Sequence, residues 1–381
     1  MTSVLTASAA AIAVSLAALT FGAGSAVAAG GGVDPFFSQV LATPDDPAVN
    51  LAYAQRAEDR GEYRKALAAY ERVLAADPDH PEASAALVRV RRLIEPETTQ
   101  FFAEFGFGYD SNARQFPSPF EDEDGSAFAA VSVRDERRLG SMRWRTEAGL
   151  YGRLYGDTNQ LNQAVLSAGI GPLVPLGNVV VLRPALVGGY SVLDGDGFYG
   201  EVGASFTLEG RYGGALQSVE LRTVWRDYTS RWVSDDGFII DLRGRFAADS
   251  VIAEGDALVL SPKLRWSDID VRPGVLLVST LEPGRYVEAG ATLAYTVPFT
   301  DWLYAGPTVT FAQRWYKTPA FFAGPDREDT YFAPGATAVL HDLIAENVDI
   351  RVDYRFEHQN SNDPTRDFDN HAVTARIQAR F

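Results

Sequence analysis

The chain has 381 residues, no cysteine, 34 Gly, 16 Tyr, 22 Phe and 2 Met, with a formal net charge of -16 at pH 7. Without thiols it has neither a disulfide nor a thiolate metal site. Its acidity lacks the basic footprint that nucleic acid requires, and its glycines and aromatics suit strands and turns better than a helix bundle.

Residues 4–29 are almost wholly apolar or small and end in Ala26-Val27-Ala28, the pattern of a signal peptide spanning 1–28 and cleaved after Ala28, with a single membrane anchor as the competing reading. No Lys or Arg precedes the run. Residues 29–46, rich in Gly and Pro, read as a linker. Beyond them no window holds the roughly 18 consecutive apolar residues of a transmembrane helix.

From 47 to 95 the periodicity is helical. Ala54, Ala57, Gly61, Tyr63, Ala66, Tyr70 and Pro78 have the spacing of a tetratricopeptide repeat, a helix pair of about 34 residues. Small residues let the helices approach, Gly61 lies near their junction and Asp77-Pro78 closes the second. Pro81 opens a further, capping helix. The segment is expected to lean on a larger body, since so short a chain buries little apolar area, and either to pack as a cap or to dock a partner.

From 101 to 381 the period becomes two, with opposite faces of each segment apolar and polar. Strands are expected at 101–109, 126–134, 141–155, 161–171, 178–191, 197–210, 215–228, 236–248, 256–267, 285–298, 301–316, 328–340, 346–359 and 368–381. The connections alternate between short (PFTDW, HDLIAE) and long or polar (YKTPAFFAGPD, NSNDPTR). This is the pattern of an all-β transmembrane antiparallel barrel of fourteen strands, with twelve or sixteen as alternatives. Closure is required, because an open edge in hydrocarbon leaves backbone groups unpaired at several kcal/mol each. The stretch 268–284, containing VRPGVLLVST, is expected to be a loop that folds inward, and the repeat to cover the periplasmic mouth, leaving the barrel largely blocked.

Aromatics near strand ends, Tyr109, Trp144, Tyr190, Tyr228, Trp232, Trp266, Trp302, Tyr304, Trp315, Tyr331, Tyr354 and Phe381, fit interfacial girdles. The inward positions carry Arg143, Arg145, Arg153, Arg222, Arg226, Arg243, Arg245, Lys263, Arg265, Arg351, Arg355, Arg376 and Arg380, with Glu220, Asp241 and Asp353 among the opposed acids. They make either an interstrand charge ladder that stiffens a wet interior or a basic conduit for an anionic solute or polymer. The histidines, His80, His341, His358 and His371, are scattered and form no metal-binding spacing. No catalytic residue, cofactor site or enzyme activity is expected.

A signal peptide, tetratricopeptide helices, a barrel opening with GFGYDSNAR and a close with DYRFEHQNSNDPTRDFDNHAVTARIQARF resemble the surface lipoprotein assembly modifier family, with GYDSN and DFDNH the most distinctive pieces. The resemblance implies a fourteen-stranded outer-membrane barrel, a periplasmic helical segment and help in delivering lipoproteins to the cell surface. Exopolysaccharide export is an alternative, with an anionic polysaccharide as cargo, and a porin-like channel is another. The implied partners are outer-membrane lipids, the barrel assembly machinery and an exported lipoprotein.

Overall fold

A computed structural model describes residues 35–176, 179–212, 215–229, 236–269, 284–320 and 324–381. Four helices come first: α1 (Pro35–Ala42), α2 (Pro47–Asp59), α3 (Tyr63–Ala76) and α4 (Pro81–Ile94). Asp46 caps α2 by accepting from the N–H groups of Ala48 and Val49, with Pro47 in the first turn, where a missing N–H costs nothing. His80 caps α4 in the same way. Ala54, Ala57, Ala66, Ala69 and Tyr70 are buried between the helices, and Gly61 takes a positive φ of 73° at the α2–α3 turn, a conformation that strains any residue with a Cβ. Pro78 lies in the turn between α3 and α4. The stretch 29–46, read as a linker, instead contains α1: Val40 is buried in the helical core and Arg56 stacks on Phe36 at 4.5 Å. An eight-residue helix is too short to register as a period. The signal-peptide residues 1–28 lie outside the described residues.

The rest is one closed antiparallel barrel. Its strands are β1 (Thr98–Asp110), β2 (Asp124–Leu139), β3 (Met142–Tyr155), β4 (Gln163–Leu176), β5 (Val180–Leu193), β6 (Asp196–Tyr212) and β7 (Ala215–Tyr228), then β8 (Gly237–Asp249), β9 (Ala257–Asp268), β10 (Arg285–Pro298), β11 (Leu303–Pro319), β12 (Asp326–Leu340), β13 (Val348–Ser361) and β14 (Phe368–Arg380). β2 continues through Asp135–Leu139, which the sequence suggested as a link. Its charge there reflects a strand end beyond the hydrocarbon.

Each strand pairs with its neighbours in sequence, and β1 pairs with β14 from Phe102 opposite Arg380 to Asp110 opposite Ala372. At one end of this seam the backbones of Phe101 and Phe381 exchange hydrogen bonds at 3.0 and 2.9 Å. Inside, Gly106 leaves room for the Phe128 ring: a Cβ there would stand 2.5 Å from that ring's tip.

Leu150, Leu154, Leu186, Val202, Phe206 and Ile377 are exposed on the outer wall. In water such a belt would be a severe liability, whereas in a bilayer it is the solvent-facing surface. Exposed Trp302 and Trp315 bracket the belt on β11. Thirteen residues at about 3.3 Å each, tilted about 40°, span about 33 Å, enough for the hydrocarbon and its interfaces. The barrel lies in the outer membrane in contact with its lipids, and the helices and C-terminus share the periplasmic side. Tyr228, Tyr304 and Tyr331 are not part of an outer girdle. Their register places them inside, where Tyr331 donates to Glu357 at 2.9 Å and Tyr304 meets the His341 ring. Trp232 lies outside the described residues.

Candidate functional site

The inner wall is recognised by pairs that skip strands. Arg145 on β3 reaches Glu209 on β6 at 2.8 Å, and Arg183 on β5 reaches Glu147 on β3 at 2.7 Å. Only the concave side brings non-adjacent strands so close.

Near the periplasmic end, Arg143 is buried and donates to the carbonyls of Glu95 and Pro96 at 2.9 and 2.6 Å, fixing the exit from α4. Arg138 lies 5.0 Å over the ring of Tyr63, a second tie between rim and repeat. Arg145 bonds Glu136 as well as Glu209, and Arg380 pairs with Asp349 at 3.4 Å. Further along, Arg222 and Arg226 share Glu201, Arg243 and Arg265 share Asp241, Lys263 and Arg314 share Glu288, and Arg351 and Arg376 share Asp353. At the extracellular end Arg153 binds Asp110 at 2.8 Å and Arg355 binds Glu357 at 2.6 Å. Glu220 lines the lumen. Arg245 is exposed and makes no ion pair among the described residues.

Burial of the partners is asymmetric. Arg243 is 47% exposed over an Asp241 that is 1% exposed, Lys263 35% over Glu288 at 6%, Arg355 51% over Glu357 at 6%, and Arg380 70% over Asp349 at 12%. Aspartate and glutamate are short and end at the wall, while the longer cations reach past them into water. At these four pairs the cation is the partner that reaches the lumen; at Arg143, Arg145 and Arg183 the order reverses and the acid is the more exposed partner.

The sequence reading missed Arg183, Arg314 and Arg327. Arg314 lies 4.7 Å from the centre of the Tyr286 ring, and Arg327 lies 4.3 Å from that of Tyr316 while gripping Asp329 at 2.6 and 2.9 Å. Phe198 was also missed. Register shifts between Ser191, opposite Tyr199, and Val192, opposite Gly197, so Phe198 is the extra residue of a bulge on β6 and joins Tyr199 inside, where its ring meets Tyr228 at 5.3 Å. The signal for the arginines was the alternation itself, in AQRWY and VLRPA, followed one strand further.

A cavity of about 1110 Å³ occupies the periplasmic half of the lumen, lined among others by Gly149, Ser167, Gly169 and Ser205, with Arg183, Glu220 and Arg222. No residue of α1–α4 lines it. The repeat packs through α4 against β3 and the end of β4, where Arg143 holds it to the rim. Ile269, first after β9, is buried with Val224 and Ile239. The remainder of the stretch expected to fold inward, 270–283, lies outside the described residues. Among the described residues no three His, Cys, Asp or Glu side chains form a metal site.

A tetratricopeptide-repeat family model matches residues 47–90. No curated protein matches the chain. Solved barrels similar to it include the outer membrane channel DcaP of Acinetobacter baumannii (TM-score 0.42, 9% identity, 75% of this chain and 97% of that one). Two more are OccAB1 of A. baumannii (0.40, 10%, 76% and 98%) and the outer membrane protein opdK of Pseudomonas aeruginosa (0.37, 9%, 76% and 100%).

The expectation of a lipoprotein-delivery factor is corrected here. The barrels that the chain resembles include a channel, and the family match is confined to a single repeat at the rim. The resemblance that suggested delivery rested on GYDSN and DFDNH, which meet each other at the barrel seam: Asn112 donates from its side chain to the carbonyl of Asp369, and the backbone N–H of His371 to Ser111. They are closure elements and carry no information about cargo.

Proposed function

We propose that this protein is a porin-like channel, a water-filled passage across the outer membrane for small solutes, with a preference for anions. The observation that carries the reading is the asymmetric burial at Arg243, Lys263, Arg355 and Arg380, where the acid lies in the wall and the cation reaches the water. A ladder serving only to stiffen the barrel would gain nothing from leaving Arg243, Arg355 and Arg380 extended into the lumen, because exposed ion pairs contribute only about 0–1 kcal/mol. The same cations concentrate anions at the passage, since a low-dielectric wall focuses their field. The wide periplasmic vestibule, free of helical residues, is the form that diffusive entry requires.

The test is uptake by proteoliposomes containing the purified full-length protein. Small monoanions are expected to enter faster than neutral solutes of equal size, and cations slowest. Impermeable vesicles, or cations entering first, would overturn the proposal.

A further inference from the structure

Within the lumen the surplus of positive charge is concentrated in one place. Asp241 receives two bonds from Arg265, at 2.6 and 2.9 Å, and only one from Arg243. Glu288 receives two bonds from Arg314, through Nε at 2.8 Å and Nη2 at 2.5 Å, and one from Lys263. Asp241 is thus held through both oxygens by Arg265, leaving Arg243 as a second cation on an anion already neutralised, while at Glu288 both Arg314 bonds go to Oε2 and Lys263 holds Oε1, so that two cations again face one charge. Arg245, two residues along β8 from Arg243, makes no ion pair among the described residues.

The register brings these three together. Arg243 stands directly opposite Lys263 in the β8–β9 pair, an arrangement of like charges that is unfavourable in a sheet and that a ladder built for stability would avoid. On the other side Arg243 stands opposite Glu220 of β7. Lys263 also lines a lumen pocket of about 300 Å³ with Ser261, Thr292 and Thr310. Ser261 lies opposite Thr292, and the two threonine hydroxyls are 2.9 Å apart.

We propose that Arg243, Arg245 and Lys263, with the hydroxyls of Ser261 and Thr292, form a subsite for a small multiply charged oxyanion of the phosphate type. The inference deepens the channel reading and rests on it for its place in transport. The chemistry fits: the guanidinium groups offer fixed forks of N–H donors, the ammonium supplies a compact charge, and the hydroxyls add neutral donors beside them. Chloride, with one charge and no directional acceptors, gains far less from such a set. Arg265 stays on Asp241 and Arg314 on Glu288 Oε2, and a glutamine at 263 retains an N–H donor for Oε1, so the wall carboxylates keep their charge partners when the other cations are removed.

The test uses inorganic phosphate as the probe. With full-length protein in planar bilayers, millimolar phosphate is expected to depress chloride current. The combined variant Arg243→Gln, Arg245→Gln, Lys263→Gln should raise the phosphate needed by at least tenfold while retaining heat-modifiable migration. Arg380→Gln, an exposed cation at the mouth, should leave the block within twofold. A block unchanged in the triple variant, or weakened as much by Arg380→Gln, would overturn the subsite. Line broadening of the ³¹P resonance by detergent-solubilised protein reads binding without conduction. Broadening lost in the triple variant of a non-conducting protein would sustain the subsite and overturn the channel reading; no broadening by the native protein, with no block, would overturn the subsite itself.

Discussion

The backbone N–H of Asn112 donates to the side-chain oxygen of Asn370 at 3.0 Å, joining residues from the beginning and end of the barrel across its closing seam. Both side chains are buried. Asn370 also donates to Asp110 at 3.2 Å and Glu357 at 2.9 Å, while Asn112 binds Phe116 through both its amide nitrogen and its oxygen. Every polar atom of the Asn370 amide is used.

Replacing Asn370 with Ala strands the Asn112 N–H and removes a donor from two carboxylates. A buried group left unsatisfied costs about 1–3 kcal/mol. Asn370→Ala is expected to lower the temperature at which the folded band is lost in heat-modifiable electrophoresis, whereas Leu186→Ala, exposed on the outer wall, should change it little. Equal shifts would show that the clasp contributes nothing specific.

Ile377 faces lipid and Gln378 faces the lumen, where it donates to Glu104 at 2.5 Å. Arg at 377 should therefore impair assembly by about 2–4 kcal/mol if it lies near the membrane midplane. Gln378→Arg should be milder, because Glu104 can accept the new charge. Folded fractions from urea titrations in vesicles would rank the two, and the reverse order would contradict the register.

Arg143 ties the helical segment to the rim through two carbonyls, with little else between α4 and β3. Arg143→Ala is expected to raise hydrogen exchange at residues 95–98 and to speed proteolysis there, while leaving barrel migration unchanged. Loss of the barrel itself would show that the grip matters to closure.

In the turn between β8 and β9, Asp256 accepts from the N–H groups of Val251, Ile252 and Ala253 and from the Tyr295 hydroxyl. Burial acts to raise the carboxyl's pKa, but these donors outweigh it and hold it at about 2. A depressed carboxyl stabilises the fold above its unfolded value of about 3.9, and that contribution fades as pH falls toward about 2. Amide protection at 251–253, corrected for intrinsic exchange, should fall across that window and be low at all pH values in Asp256→Ala. A turn protected equally at pH 6 and pH 2 would contradict this.

The strand count and most strand boundaries were legible because a barrel wall faces lipid on one side and water on the other, so alternation survives in every strand. Ile377 and Gln378 can be assigned opposite faces from the sequence alone. The inward location of Tyr228, Tyr304 and Tyr331 was not legible, since an aromatic near a strand end fits a girdle or a lumen equally well until its register is known. The bulge at Phe198 left no mark in FYGEVG, because a one-residue register shift is set by the facing strand. The surplus cations were hidden more deeply. Which arginine neutralises Asp241 depends on contacts between β8 and β9, and which cation reaches water depends on side-chain length against a wall whose curvature the sequence does not state.

If cations such as Arg243, Arg355 and Arg380 face the water of the lumen, the zero-current potential of the purified full-length protein in a salt gradient reads their sign directly. In a tenfold potassium chloride gradient across a planar bilayer, the potential is expected to take the sign set by chloride, and to move toward zero when both compartments are raised in salt at the same ratio, as screening shortens the reach of the wall charges. A potential of the potassium sign, or a full-length protein that carries no current, would contradict it.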